Sequence, residues 1–161
     1  MGDNLPEELR IITIADEGDN SIKEYDIPFA RGKNEVALIH KIKIYSDFQG
    51  ATAIANLTYL LSRKNDIEVS SVVLSENKQD KSSKETTFVC GGTLKNVKNS
   101  DKNYTGVVSQ QDYFHIPLIM IREAKMFIKI TSGYDYAVFI YYTTRQISEN
   151  KMRELMVKYH S

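Results

Sequence analysis

What this chain lacks narrows its function before anything it contains does. Its one cysteine, Cys90, rules out an intrachain disulfide and a cysteine metal cluster, and a lone thiol suits a reducing interior. It has no net charge: 21 lysines and arginines meet 21 aspartates and glutamates, so no global field steers it to nucleic acid or an anionic membrane. It has no tryptophan. The longest apolar runs fall far short of a membrane span. The opening residues MGDNLPEELR lack the basic and apolar regions of a signal peptide, so the sequons at Asn56 and Asn103 read as chance. A basic packaging arm is missing too. Residues 1–35 hold nine acids (Asp3, Glu7, Glu8, Asp16, Glu17, Asp19, Glu24, Asp26, Glu35) against four bases (Arg10, Lys23, Arg31, Lys33). That is the wrong sign for a nucleic-acid arm.

Recognisable reaction chemistry is also scarce. The three histidines, His40, His115 and His160, fall at no metal-ligand spacing. His40 reads as a hydrogen-bonded core or inter-sheet residue, His115 as a sheet-surface residue, and His160 as a C-terminal aid to a helix dipole. Cys90 precedes Gly91-Gly92, but it sits in the apolar pattern TTFVC with no base indicated, which predicts a buried, inert thiol. Asp16, Glu17 and Asp19 surround Gly18 without the spacing of a calcium loop and predict an acidic turn. Arg31-Gly32-Lys33-Asn34 reads as an ordinary turn. No acid–base pair, cofactor motif or metal set emerges, so the expectation is a non-enzyme without cofactors.

What is present is β structure. From Phe114 to Thr144 three strand-like segments, FHIPLIMI, EAKMFIKIT and YDYAVFIYYTT, follow with only short separators, and they predict an antiparallel β-meander. Arg10–Ala15, Ser21–Ile27, Ile67–Leu74 and Thr86–Leu94 are further strand candidates, with Gly91-Gly92 marking a bulge or a close backbone approach. Ala51–Ser62 fits strand and helix spacing, and its strand-like neighbours favour strand. The longest alternating stretch, Glu35–Ser46, places Val36, Leu38, His40, Ile42 and Ile44 on one face. Residues 75–85 and 95–102 read as solvated loops.

Two features bear on partners. On the last strand Tyr136, Val138, Ile140 and Tyr142 share one face, and Ala137, Phe139, Tyr141 and Thr143 share the other. A strand buried on one side alternates apolar with polar, so something should cover both faces. The tyrosines could also form an aromatic ligand platform for carbohydrate or single-stranded nucleic acid. Then the period changes: Ser148 caps a helix at about 148–159, where Met152, Leu155, Met156 and Tyr159 recur at helical spacing. The helix packs either on its own sheet or on a neighbouring subunit. The chain thus reads as one domain, 1–161, of eight to ten strands with a short C-terminal helix.

The stretches ALIHKIKIY (37–45), NLTYLLSRK (56–64) and YDYAVFIYYTT (134–144), with lengthy middle loops and no catalytic set, resemble a viral single jelly-roll capsid or structural protein. That resemblance implies an all-β antiparallel sandwich of two four-stranded sheets that self-assembles into a shell through subunit contacts. The candidate interface residues are Met152, Leu155, Met156, Tyr159 and Tyr134. The expected partners are copies of the chain itself and other virion proteins, with no membrane and with nucleic-acid contact open. The expected location is the virion, after synthesis in a host cytoplasm; the alternative is cytoplasmic. The competing function is a non-catalytic β-sandwich module that binds carbohydrate or protein, with residues 75–85 and 95–102 beside the ligand.

Overall fold

Strand-forming residues dominate this computed structural model, which describes residues 8–29, 32–47, 55–63, 88–95, 107–121 and 124–160, with the backbone alone at 88, 89, 95, 107–112, 159 and 160. Among these residues lie eight strands and one helix. The strands are β1 (Arg10–Glu17), β2 (Ile22–Ile27), β3 (Glu35–Asp47), β4 (Asn56–Ser62), β5 (Phe88–Lys95), β6 (Val107–Met120), β7 (Ala124–Ile130) and β8 (Asp135–Gln146). The helix is α1 (Glu149–His160). The strand candidate at 67–74 and the loop at 75–85 lie outside the described residues, as does most of 95–102. The ambiguous Ala51–Ser62 stretch supplies strand β4.

Two four-stranded antiparallel sheets result, β1-β8-β3-β6 and β2-β7-β4-β5. The first strand pairs with the last, the second with the second-last, and so inward to β4 with β5. Apart from the β4–β5 link, each connection therefore passes from one sheet to the other. The architecture is all-β and sandwich-like with a short C-terminal helix. Its core draws alternate residues from both sheets: Ile14, Ile39, Ile42, Ile44, Val138 and Ile140 from the first, and Leu57, Tyr59, Leu61, Met126, Ile128 and Ile130 from the second. Phe29 sits at one end of this layer, edge-on to Tyr142 with ring centroids 5.4 Å apart.

The expected meander does not form. β6 and β8 flank β3 in the first sheet, whereas β7 lies between β2 and β4 in the second. The short separators misled because length alone does not distinguish a hairpin from an arch. Facing sheets are about 10 Å apart, and three or four extended residues reach roughly that far. Residues 131–134 make such an arch, with Gly133 at φ 91°. It is locked to the β1–β2 arch beside it. Gly18 N–H donates to the Tyr134 carbonyl at 2.9 Å and Gly133 N–H to the Gly18 carbonyl at 3.1 Å. Asn20, at φ 68°, accepts from Ser132 N–H through its side chain.

The predicted face of β3 is also corrected. His40 is an extra residue between Ile39 and Lys41, which pair with consecutive residues Tyr142 and Tyr141. Such a bulge reverses the alternation. Ala37 and Ile39 before it, and Ile42 and Ile44 after it, enter the core, while Val36 joins a separate cluster beneath the helix. On the other side of β3, Ile39 pairs with Leu118 and Lys41 with Tyr113, so Phe114–Pro117 bow out opposite His40. Pro117 has no N–H to donate, and an edge-strand bulge is where a sheet tolerates that. In β5 the register shift falls near residue 89, between the Cys90 and Phe88 pairings. Gly92 stays in register opposite the buried Tyr59.

Candidate functional site

Among the described residues the titratable side chains are spread over the sandwich. His40 is half-buried at its bulge, where its Nε2 lies 2.8 Å from Thr143 Oγ1 within the first sheet. His115 is exposed on β6, as expected. The His160 side chain lies outside the described residues. Cys90 is half-buried against the core rather than fully enclosed. Among the described residues no three histidine, cysteine or acidic side chains gather to hold a metal ion.

The acidic turn becomes a strut between the sheets. Asp16 Oδ2 on β1 accepts from Lys23 Nζ at 3.2 Å and from Tyr25 OH at 3.0 Å, both on β2. A carboxylate can only accept, so Tyr25 donates to it and in turn accepts from the Tyr136 phenol on β8. The Glu17 backbone N–H, then the Lys23 and Tyr25 bonds, hold the Asp16 carboxyl below its ordinary pKa. Burial first, and then the bond to Tyr25, push the Tyr136 phenol far up. Asp19 bonds Ser21 and is lowered by that contact. The groups satisfy one another, which is what a structural tie requires.

Leu155, Met152, Met156 and Tyr134 of the candidate interface pack at least in part against their own domain. Leu155 is buried with Val36 and Ile121, while Met152 and Met156 are half-buried beside Ile119 and Ile147. Ser148 caps the helix through Lys151 N–H at 3.1 Å, and Arg153 pairs with Glu149 one turn away. Tyr134 is half-buried against the main core, and the Tyr159 side chain lies outside the described residues. Among the described side chains of α1, the large apolar one open to solvent is Val157, 69% exposed. Among the described residues no helix is long and apolar enough to cross a membrane.

The apolar cluster beneath α1 takes in none of Ala137, Phe139 or Tyr141 on β8. These three are half-buried, among side chains from β3 and β6. Lys41 Nζ sits 4.2 Å from the centre of the Tyr141 ring and 5.4 Å from that of Tyr113. Lys43 Nζ sits 4.8 Å from the Tyr45 ring, and Tyr45 meets Phe139 edge-on at 5.8 Å. These are cation–π distances. Chiefly the Tyr45 hydroxyl, and then the other tyrosines, raise the Lys43 pKa and keep it charged. The sheet pairs Lys41 with Tyr141 and Lys43 with Phe139, a coupling across about a hundred residues of sequence that neither segment discloses alone. Ile11 continues the row beside Tyr141 and is 52% exposed. On the second sheet the outward-facing Leu60 and Phe127 are 2% and 0% exposed. The tyrosine–lysine face is thus the open aromatic surface of the described sandwich. No protein-family model matches the chain, and no curated protein does.

Proposed function

We propose that this chain is a virion structural protein of the single jelly-roll type, which self-assembles into a shell through repeated subunit contacts. The observation that carries the proposal is the winding of the strands. First pairs with last and second with second-last across two sheets ordered β1-β8-β3-β6 and β2-β7-β4-β5. A double-sheet jelly roll is an eight-stranded ribbon wound in this way, and viral shells and lectin domains use it. Zero net charge lets many copies pack without strong mutual repulsion. Closed symmetry makes repeated contacts finite. The arched loops at the ends of the sandwich and the exposed side of α1 are the surfaces through which neighbours would meet.

Size-exclusion chromatography with negative-stain microscopy of the purified chain tests this. Uniform closed particles are expected. A strict monomer at high concentration that instead retains a glycan or protein ligand would replace the proposal with the binding-module alternative.

A further inference from the structure

We infer that the outer face of the first sheet is a binding site for single-stranded nucleic acid. The face carries the two components such a site needs. Tyr45, Tyr113, Phe139 and Tyr141 present aromatic surface, with Tyr113 67% exposed at the edge. Lys41 and Lys43 stand among the rings, between the aromatic residues of β6 and those of β8. Bases stack on aromatic side chains whatever their sequence, and lysines pair with the phosphates between them. Same-face residues along a strand repeat at roughly 6.6 Å, and neighbouring strands at about 4.8 Å. Phe139 and Tyr141 therefore suit successive bases of an extended strand.

Charge complementarity favours this occupant over a neutral glycan, because both charged side chains at the centre of the face are cations. Glu17, Asp135 and Asp47 lie at one end of the same sheet and would direct phosphates towards the lysines. A rigid duplex buries its base faces and cannot stack on tyrosine, so a single strand is the better fit. Of the acids in the N-terminal region, Asp16 is already engaged by Lys23 and Tyr25. Binding belongs to one subunit and is independent of whether a shell forms.

Fluorescence anisotropy with a labelled oligothymidine of about 12 nucleotides, at about 50 mM salt, tests the site. The wild type should bind the single strand more tightly than a duplex of the same length. Tyr113→Ala should weaken binding at least about 5-fold and Tyr113→Phe should restore it, since one stacked base carries that much. Lys41→Gln with Lys43→Gln should weaken it further and flatten the salt dependence, whose slope for two phosphates is about −1.4. Lys151→Gln with Lys158→Gln, on the helix, should change nothing. Circular dichroism melting confirms that each variant is folded. The inference is overturned by absent binding, by equal loss from the helix pair, or by indifference to Tyr113→Ala. A heparin oligosaccharide bound through the same lysines while the oligonucleotide is ignored would overturn it as well. Variants that abolish self-association should leave oligonucleotide binding intact.

Discussion

Replacing Gly18 by alanine should destabilise the protein more than any other glycine-to-alanine change among Gly18, Gly32 and Gly133. A Cβ there would lie 2.0 Å from Ile130 Cγ2 and 3.0 and 3.1 Å from the Thr131 and Ile130 carbonyl oxygens. Ile130 is 2% exposed and stiff at its branched carbon, so it cannot swing aside. Overpacking of this kind costs about 1–3 kcal/mol. The added group also prises Gly18 from Tyr134 and Gly133, and each of those two hydrogen bonds contributes about 1 kcal/mol. Together the loss should be roughly 3–5 kcal/mol. At Gly133 a Cβ meets nothing within 4 Å, and only the backbone angle of 91° opposes it, at about 1–2 kcal/mol. At Gly32 the nearest atom is Gln146 Nε2 at 3.4 Å, an ordinary contact, so the change should stay within about 0.5 kcal/mol. Urea unfolding followed by circular dichroism, at concentrations too low for assembly, gives the three values free of linkage to self-association. If Gly18→Ala proves no worse than Gly133→Ala, the two arches are not locked together as described.

The strut between the sheets should show in pH profiles. Asp16 has a lowered folded pKa, so its contribution is present above the unfolded carboxyl value and is lost as pH falls through the folded one. Asp16→Asn should flatten the stability profile below about pH 4. Tyr136 has a raised folded pKa, so its contribution is present below about pH 10 and is lost above it, where the unfolded phenol ionises and the folded one does not. Tyr136→Phe should reduce that alkaline slope, as thermal melts at pH 9 to about 11 would show. Leu155→Ala should destabilise the domain by about 2–3 kcal/mol through its small cluster. Val157→Ser should leave unfolding within about 0.5 kcal/mol of wild type, and a change limited to assembly would mark α1 as a contact. Phe29→Ala should cost about 3–5 kcal/mol in the same urea assay, because Phe29 is 1% exposed and seated edge-on to Tyr142.

Local signals were legible, and non-local ones were not. Ser148, Glu149 and the Met152–Leu155–Met156 spacing announce the helix because capping and amphipathicity act within a few residues. Strand-forming residues announce most strands for the same reason. The partition of β6, β7 and β8 between two sheets is not written in their short separators, since a hairpin and an arch need similar lengths. His40 looks like one more member of an alternating face, yet one extra residue reverses which side chains reach the core. The strut hides because Tyr25 and Tyr136 lie 111 positions apart. Lys41 hides in the same way, since only the ladder shows that β3 brings a cation to the tyrosine face. On the outer face of β8, Phe139 and Tyr141 are half-buried beside Tyr45 and Lys41 of β3, neighbours that the alternation of β8 alone does not disclose.

Sedimentation velocity of the purified chain over a wide concentration range tests the assembly proposal most directly. The expected result is a cooperative passage from monomer to one closed particle of fixed size, with few intermediates. A monomer at every concentration, or an open-ended ladder of growing species, would contradict it.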